Sequence, residues 1–418
     1  MQWAITRNEH LGTNDVRLKL LSTPGPRAAM HGRPLAAIVS AGSTKYGKHD
    51  EKGARELFAE AFAEALEGAR NLDPKRDIGA VFIGQMGSEY EYQAHSGSWA
   101  ADYAGIPRTH AARVESACAS GSTALRIALA GIMSGQYDTV LVGGVEKMRN
   151  RGTSEVTLYL GEAGDFPMEI WNGLTFPGLF ALMATAYMNR YGAKEEHLAK
   201  VAVKNHKHAS MNPKAQYPQE ITLEQALSSR VVAWPLKLYD CSPITDGASV
   251  VILTRPELAK KYTDTPVYIT GFGHSTDYLG VYEREDMTWL EGARRASEAA
   301  YRMANVDVGD VDLFEVHDCF TIAEILLYEA LGIARRGEGY KIIDEGLTYY
   351  DSKIPVNVSG GLKAKGHPVG ATGVGQIYEI WLHLTERAGR RQVKGAEVGV
   401  THNMGGSGAS HNVFVLER

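Results

Sequence analysis

The chain has 418 residues, and its 44 Lys and Arg against 49 Asp and Glu give a formal net charge of −5 at pH 7. Its hydrophobic share of 44% and charged share of 22% are typical of a soluble globular protein, which excludes a disordered chain. The weakly acidic balance also argues against a nucleic-acid-binding protein, because such a protein needs a basic face to displace counterions from phosphates.

The first half of the chain alternates short apolar strands with helices. In chain order the predicted elements are a strand at 34–42, a helix at 51–70, a strand at 78–84, a strand that turns into a helix at 114–133, and a strand at 139–144. This alternation predicts an α/β fold with a parallel sheet covered on both faces.

The same order of elements recurs in the second half. The predicted elements are a strand at 267–273, a helix at about 289–303, a strand at 311–316, a Gly-rich loop leading into a helix around 374–384, and a strand at 398–403. The matched order predicts an internal duplication. Residues 150–232 lack this rhythm, and we predict that they form an inserted lobe over a site.

The number and spacing of the cysteines and histidines argue against disulfide bonds and structural metal sites. Cysteine occurs at Cys118, Cys241 and Cys319, an odd number without a Cys-x-x-Cys pair, so neither a disulfide framework nor a zinc ribbon is predicted. His206 and His208 have no third ligand nearby in the sequence; we interpret them as a solvated helix face and predict no metal site. This cysteine usage is typical of the reducing cytoplasm.

Neither an export signal nor a membrane span is predicted. Residues 1–33 mix charges of both signs and lack the apolar segment of a signal peptide. Residues 170–189 are uncharged, but Pro and Gly interrupt the run, and its second half has the composition of a buried helix. A cytoplasmic location is therefore expected.

Cys118 lies in the segment Glu115-Ser-Ala-Cys-Ala-Ser-Gly121, between a buried strand and the start of a helix. The unpaired N–H groups and positive dipole end of that helix favour a thiolate, so we predict a nucleophile near neutral pH. Gly121 and the small neighbours leave room for a substrate carbonyl. Taken alone, the motif fits an ordinary buried core cysteine better.

Two further segments carry groups for acid–base chemistry. His367 lies in a Gly-rich loop that enters a helix, at the second-half position that corresponds to Cys118, where it could deprotonate a thiol; a loop histidine alone is more often a surface residue. His317 and Cys319 follow a buried strand directly, where one group could stabilise an oxyanion while the other exchanges a proton. The segment His402-Asn-Met-Gly405 has a backbone suited to donating N–H groups.

Four segments of the sequence together resemble the motifs of the thiolase family. They are the Cys118 segment, Cys241-Ser-Pro-Ile-Thr-Asp-Gly-Ala, His317-Asp-Cys-Phe, and Gly-His367-Pro-x-Gly-Ala-Thr-Gly. The resemblance is closest to the branch of sterol-carrier-protein-2 thiolase and archaeal acetoacetyl-CoA thiolases. It covers about residues 35–418 in the family's motif order, and four motifs in order are highly specific.

The resemblance implies a duplicated five-layer αβαβα fold with an inserted loop domain. Its domains are expected at 34–150 with 233–262 for the N-terminal half, 151–232 for the loop domain, and 263–418 for the C-terminal half, after an N-terminal extension at 1–33. A homodimer or tetramer is also implied.

The resemblance also implies a role for each site residue. Cys118 becomes acylated, and His367 activates it and helps to hold the thioester oxygen. His317 stands where most thiolases have an Asn, and it polarises the acetyl thioester oxygen. Backbone N–H groups of Cys118 and Gly405 form a second oxyanion hole. Common thiolases carry an acid/base cysteine in a Cys-x-Gly motif, and this chain has Asn403-Met404-Gly405 instead. In the sterol-carrier-related branch the cysteine of His-Asp-Cys-Phe takes that role, so the resemblance implies that Cys319 is the proton shuttle.

The implied function is thiolysis of a 3-ketoacyl-CoA or the reverse condensation, with acyl-CoA and coenzyme A as substrates and without a bound cofactor. In the alternative, the chain is a thiolase subunit that works with a small zinc-ribbon/OB-fold protein, and residues 1–33 contribute to the interface. A catalytically silent binding module is disfavoured, because both thiols and both histidines are present.

The acyl group is not determined by these motifs. The predicted lobe contains five aromatic residues that could form a pocket for a bulky or aromatic acyl chain: Phe166, Trp171, Phe176, Phe180 and Tyr187. Ordinary hydrophobic packing within the lobe is the preferred interpretation.

Overall fold

The computed structural model describes residues 30–418, so the extension predicted at 1–33 lies almost wholly outside the described residues. The strands are β1 (Ala36–Ser43), β2 (Ala80–Gly84), β3 (His110–Val114), β4 (Thr139–Lys147), β5 (Val231–Ala233), β6 (Leu236–Lys237), β7 (Asp246–Thr254), β8 (Val267–Thr276), β9 (Leu313–Glu315), β10 (Val398–Gly405) and β11 (Ser410–Glu417).

The helices alternate with these strands. They are α1 (Ala54–Gly68), α2 (Pro74–Asp77), α3 (Ser96–Tyr103), α4 (Ser120–Met133), α5 (Thr153–Gly161), α6 (Phe176–Tyr191), α7 (Glu195–Ala209), α8 (Leu223–Ser228), α9 (Ala259–Tyr262), α10 (Glu291–Ala304), α11 (Thr321–Ala330), α12 (Gly339–Asp344) and α13 (Thr372–Leu384).

The large sheet contains the same topology twice. Its strand order is β3-β2-β4-β7-β1-β8-β11-β10-β9, and Val356 extends it beyond β9 through a parallel bridge to Phe314. The second half therefore runs Val356 segment-β9-β10-β11-β8, which repeats the first-half order β3-β2-β4-β7-β1. The halves meet where β1 pairs with β8 at Ala37 and Tyr268. The predicted duplication is confirmed.

The prediction of an all-parallel sheet is wrong. β2 is parallel to β3 and β4, and β9 is parallel to β10, but every pairing between β4 and β10 through the middle of the sheet is antiparallel. In β10 and β11 the reason is local, because a short turn joins them and leaves no room for the crossover that parallel strands need.

Alternating side chains divide the molecule into five layers. In β1, Ala37 and Val39 pack outward against α1 and α3, whereas Ala36 and Ile38 pack inward against α4 and α13. On the far side of the second-half sheet, α10 and α11 pack against β10 and β11. Because a strand presents successive residues to opposite faces, one sheet can hold a helical layer on each side. The αβαβα arrangement that the resemblance implied is confirmed.

The segment between β4 and β7 holds α5 to α8 and the β5–β6 hairpin. The predicted solvated face at His206 and His208 is wrong, because both side chains are buried. His208 donates from Nδ1 to the carbonyl of Asn357 and accepts the N–H of Tyr350 at Nε2. No helix among residues 30–418 is both long and apolar enough to cross a bilayer.

Candidate active site

Cys118 lies in a single 3-10 turn, Ala117–Ala119, between β3 and α4. Ala117 adopts a left-handed backbone conformation with φ +50°, a strained conformation for a residue with a Cβ. The turn is held by the Ser120 hydroxyl, which donates to the carbonyl of Ala117 and accepts the N–H of Ser116. Cys118 is thereby fixed at the first turn of α4, as the sequence predicted, with its side chain buried.

The loop that carries His367 crosses directly over the start of α4. A Cβ at Gly121 would lie 2.6 Å from the carbonyl oxygen of Gly370, so only glycine permits this crossing. The buried Glu146 carboxylate accepts the N–H groups of Gly370 and Met86 at 3.1 and 2.9 Å. These contacts fix the His367 loop of the second half against the Cys118 turn of the first half.

A threonine sets the orientation of the His367 ring. Nδ1 of His367 and Oγ1 of Thr372 are 2.6 Å apart, and the Thr372 hydroxyl donates to the carbonyl of Pro368 at 3.1 Å. Since the Thr372 hydroxyl proton is already donated to that carbonyl, the Thr372 oxygen accepts a hydrogen bond from the N–H at Nδ1 of His367. Nε2 of His367 is then the unprotonated nitrogen, which is the form a general base needs.

His317 follows β9 and is completely buried. Its Nδ1 lies 2.8 Å from the side-chain nitrogen of Asn403, and its Nε2 is buried without a hydrogen-bond partner among the described residues. The rings of His317 and His367 meet edge to face, with centroids 5.0 Å apart. The two predicted histidines are therefore direct neighbours.

The sulfur of Cys118 and one ring nitrogen each of His317 and His367 all lie within 4.8 Å of one another. Cysteine with two histidines is also a ligand set that suits Zn²⁺. A nucleophile beside a histidine base uses the same three groups without an ion. The positions of these three groups allow both chemistries.

A cavity of about 200 Å³ opens onto this group and contains both predicted thiols. Cys118, Cys319 and His367 line it, and the buried His317 contacts the His367 ring at its edge. Cys319 is held there because its carbonyl accepts the N–H of Ser242 at 2.9 Å. The remaining walls are mostly apolar, from Met148, Val156, Leu160, Phe176, Phe180 and Val369.

Burial keeps these groups uncharged. Desolvation raises the pKa of the Cys118 thiol to about 12, although the backbone N–H of Gly406 favours its thiolate. Desolvation also lowers the pKa of His367 to about 3 and that of His317 well below its usual value. The expectation of a preformed thiolate at neutral pH is wrong, because loss of solvent outweighs the helix terminus. The resting pair is a neutral thiol and a neutral imidazole.

The comparisons with known proteins cover nearly the whole described chain. The model of the thiolase N-terminal domain matches residues 36–257, and the model described as thiolase C-terminal domain-like matches residues 273–418. The chain belongs to the thiolase family. It is an acyltransferase of the thiolase type.

Related sequences and structures agree with this assignment. The thiolase is 43% identical to an acetyl-CoA acetyltransferase of Methanothermobacter thermautotrophicus over 91% of this chain and 99% of the relative. It is 34% identical to human sterol carrier protein 2, over 89% and 70% of the two chains. It shares its fold with the Ltp2-ChsH2(DUF35) aldolase, with a TM-score of 0.77 at 24% identity over 93% and 98% of the chains.

The second solved relative is a monomeric SCP2-thiolase like protein from Mycobacterium smegmatis. The TM-score is 0.71 at 19% identity, over 92% of this chain and 78% of that one. At this level of identity the match concerns the fold alone.

The backbone N–H that reaches the sulfur of Cys118 belongs to Gly406. Gly405 ends β10 and packs against the carbonyl of Ser116, whereas Gly406 lines the cavity and directs its N–H toward the sulfur of Cys118. The oxyanion hole expected at Gly405 is untested, and the geometry favours the neighbouring N–H. The pattern of glycines could not distinguish the two, because both stand in one Gly-rich turn.

Only part of the aromatic set reaches the cavity. Phe176 and Phe180 line it, and Phe180 stacks on Phe320 with ring centroids 4.6 Å apart. Trp171 is 78% exposed, and Tyr187 is buried elsewhere with its hydroxyl donating to Glu329. Ordinary packing therefore accounts for Tyr187, whereas Phe176 and Phe180 form a wall of the cavity.

A larger cavity of about 480 Å³ adjoins the first. The segment from Cys241 to Ile244 lines both cavities, so the third cysteine lies at their junction. Three cationic side chains line the larger one: Arg149, Arg151 and Lys363. This cavity can accept an anionic group while an attached chain extends toward Cys118.

Proposed function

We propose that this thiolase cleaves a 3-ketoacyl-CoA with coenzyme A, or runs the reverse condensation of an acyl-CoA with acetyl-CoA, through an acyl group on Cys118. The observation that carries the proposal is the single cavity that holds Cys118, Cys319 and His367. The acetyl-CoA acetyltransferase relative at 43% identity supports the same substrate class.

The first step is attack of Cys118 on the 3-keto carbon. His367 takes the thiol proton at Nε2 as the sulfur–carbon bond forms, which avoids a free thiolate in a desolvated site. Because burial disfavours the charged form of both groups, we place the proton transfer in the same step as the attack.

The second step breaks the bond between C2 and C3. The acyl group stays on Cys118, and acetyl-CoA leaves as an enolate whose oxygen is stabilised by His317 and His367. Cys319 protonates C2. Burial raises the pKa of the Cys319 thiol well above its usual value, so it is a thiol that carries a proton to donate.

The third step regenerates the enzyme. The Cys319 thiolate takes the proton of incoming coenzyme A, and the resulting thiolate attacks the acyl group. Cys118 departs and recovers its proton from His367. The cationic cavity supports this order, because it can bind the phosphates of coenzyme A while the thiol reaches the acyl group. No bound cofactor takes part in these steps.

The experiment compares alanine substitutions at the three cysteines. Cys118→Ala should abolish turnover and should remain unacylated by acetyl-CoA in intact-mass spectrometry. Cys319→Ala should still become acylated but should lose about 10²–10⁴-fold in cleavage and condensation, because it lacks the acid/base group. Cys241→Ala is the matched control, since this thiol lines the same cavity and has no step assigned to it.

Two results would contradict the proposal. Full turnover by a folded Cys118→Ala variant would exclude the acyl-enzyme, and wild-type rates in Cys319→Ala would remove its acid/base role. A panel of 3-ketoacyl-CoA substrates, run with the wild type, then determines which acyl groups the apolar wall accepts.

An alternative is that the chain is the thiolase subunit of a complex with a small zinc-ribbon/OB-fold protein, acting on acetoacetyl-CoA or an unusual aromatic or branched 3-oxoacyl-CoA. The fold match to the Ltp2-ChsH2(DUF35) aldolase supports this alternative. Full activity of the chain purified alone would contradict a requirement for a partner. Activity that appears only with the product of a neighbouring gene would establish it, and sedimentation tests the expected homodimer or tetramer.

A further inference from the structure

Asn403 occupies the cysteine position of the Cys-x-Gly motif, yet it does not line the cavity. Its side chain is buried between His317 and the first turn of α4. The amide nitrogen lies 2.8 Å from Nδ1 of His317, and the amide oxygen lies 2.6 Å from the hydroxyl of Ser122. Both ends of the amide are therefore engaged.

A directional series of hydrogen bonds determines which end faces the histidine. Asn412, the cross-strand neighbour of Asn403, donates its amide N–H to Ser122 and Thr123, each at 3.0 Å. Ser122 accepts from Asn412, and two acceptors lie within reach of its own proton, the amide oxygen of Asn403 at 2.6 Å and the carbonyl of Ala119 at 2.9 Å. The shorter contact is the one to Asn403. The amide nitrogen of Asn403 is then left to donate to Nδ1 of His317.

We propose that Asn403 is a positioning residue that fixes His317 as the tautomer with an unprotonated Nδ1 and a protonated Nε2. This inference rests on the proposed function for its catalytic consequence, because the protonated nitrogen is the one left to donate to the thioester oxygen. The position that carries a reacting thiol in common thiolases here carries a group that orients another residue.

The two histidines are consequently held in opposite tautomers. Thr372 accepts a hydrogen bond from Nδ1 of His367, which leaves Nε2 of His367 as a base. Asn403 donates a hydrogen bond to Nδ1 of His317, which leaves Nε2 of His317 as a donor. His317 can thus donate to an oxyanion while it stays neutral, and His367 is charged only while it holds the proton of Cys118. A neutral donor suits this site, because burial disfavours an imidazolium.

The first test measures the tautomer directly, in the free enzyme. Protein with ¹⁵N-labelled histidine is studied by NMR, and a His317→Gln variant assigns the signal. The wild type should show a protonated Nε2 and an unprotonated Nδ1 at His317. Asn403→Asp keeps the size of the side chain but offers only acceptors, so it should move a proton to Nδ1. A wild-type His317 that already carries its proton on Nδ1 would overturn the inference.

The second test is kinetic and uses Asn403→Leu. This variant should lose about 10–100-fold in kcat, the usual cost of removing a group that orients a site residue, with KM nearly unchanged. Acylation of Cys118 should stay near the wild-type rate, whereas exchange of the acetyl-CoA methyl protons should slow. Asn212→Leu is the control, because it removes a buried amide that contacts neither His317 nor the series of Asn412, Ser122 and Asn403.

The outcomes separate this inference from the proposed function. A wild type that does not turn over 3-ketoacyl-CoA contradicts the function but leaves the NMR result intact. An Asn403→Leu variant with wild-type kcat, or an Asn212→Leu variant with the same step-specific defect, overturns the positioning role. If Asn403→Leu does not fold, the NMR comparison with Asn403→Asp still decides the tautomer.

Discussion

Cys118 and His367 are both uncharged at rest, and the surrounding residues determine how each is used. Burial holds Cys118 as a thiol and His367 as a neutral imidazole, so the thiol has to pass its proton to His367 while the sulfur attacks and not before. What matters is then which ring nitrogen is free. Thr372 decides this for His367, because its hydroxyl occupies Nδ1.

We predict that Thr372→Val lowers kcat by about 10–100-fold, because His367 can then adopt the tautomer that protonates Nε2. The rate of the Cys118 acylation burst and the steady-state kcat are both measured in the wild type and in the variant. Thr385→Val is the control, since Thr385 lies at the end of the same helix and also bonds a carbonyl one turn back without contacting a histidine. Equal effects of the two substitutions would show that Thr372 acts only on stability.

At the scale of elements, the site depends on two loops that cross in close contact. The start of α4 belongs to the first half of the chain and the His367 loop to the second, and their backbones approach within contact distance at glycines. Gly144 of β4 lies under the same crossing, where an added Cβ would lie 2.4 Å from the carbonyl oxygen of Gly370. The distance between Cys118 and His367 is therefore set by how closely these two backbone segments approach each other.

Gly144→Ala should push the His367 loop away from Cys118. Overpacking of this kind costs about 1–3 kcal/mol, and a displacement of about 1 Å in a catalytic group can cost roughly 10²-fold in rate. Thermal unfolding and kcat are measured together. Gly309→Ala is the control, because a Cβ there meets nothing within 4 Å; an active Gly144→Ala variant of normal stability would contradict the prediction.

The buried His208 in helix α7 makes the stability of the fold depend on pH. Burial lowers the pKa of His208 to about 3 in the folded protein, while an unfolded chain takes up a proton near pH 6.5. The unfolded state therefore binds more protons as pH falls below that value, and the contribution of His208 to stability is lost on acidification.

The stability difference between the wild type and His208→Gln should therefore shrink from about pH 7 to about pH 5, by at most roughly 1.4 kcal/mol for each pH unit below 6.5. Urea unfolding of both proteins at the two pH values measures it. A difference that stays constant or grows on acidification would contradict a neutral His208 in the fold.

At the scale of the whole molecule, the two halves share one core. Residues of α4 and β4 from the first half pack in the same cluster as residues of α13 and β11 from the second. The site is built across this shared layer, because Cys118 comes from one half and His317, Cys319 and His367 from the other. Neither half holds a complete set of catalytic groups.

We predict a single cooperative unfolding transition for the described fold. Scanning calorimetry should give a calorimetric enthalpy equal to the van't Hoff enthalpy, because separating the halves would expose the central layer. Two resolved transitions assigned to residues 34–262 and 263–418 would show that the halves are independent domains.

The sequence was sufficient for features that repeat or that carry their chemistry in the residue type. Alternating apolar strands and helices predicted the layered duplication, which the paired strand orders confirm. Cys118, His317, Cys319 and His367 stood out because their segments together resemble the thiolase motifs, and the fold brings all four together. Their individual catalytic roles stay predictions until the substitutions are made.

Thr372, Asn403 and Glu146 could not be assigned from the sequence. A threonine or an asparagine acquires a role only through the atom it contacts, and Asn403 and Ser122 are 281 positions apart in the chain. The charge state of Cys118 was equally out of reach. The helix start is visible in the sequence, but desolvation comes from residues gathered from both halves, and this larger effect makes the resting nucleophile a thiol.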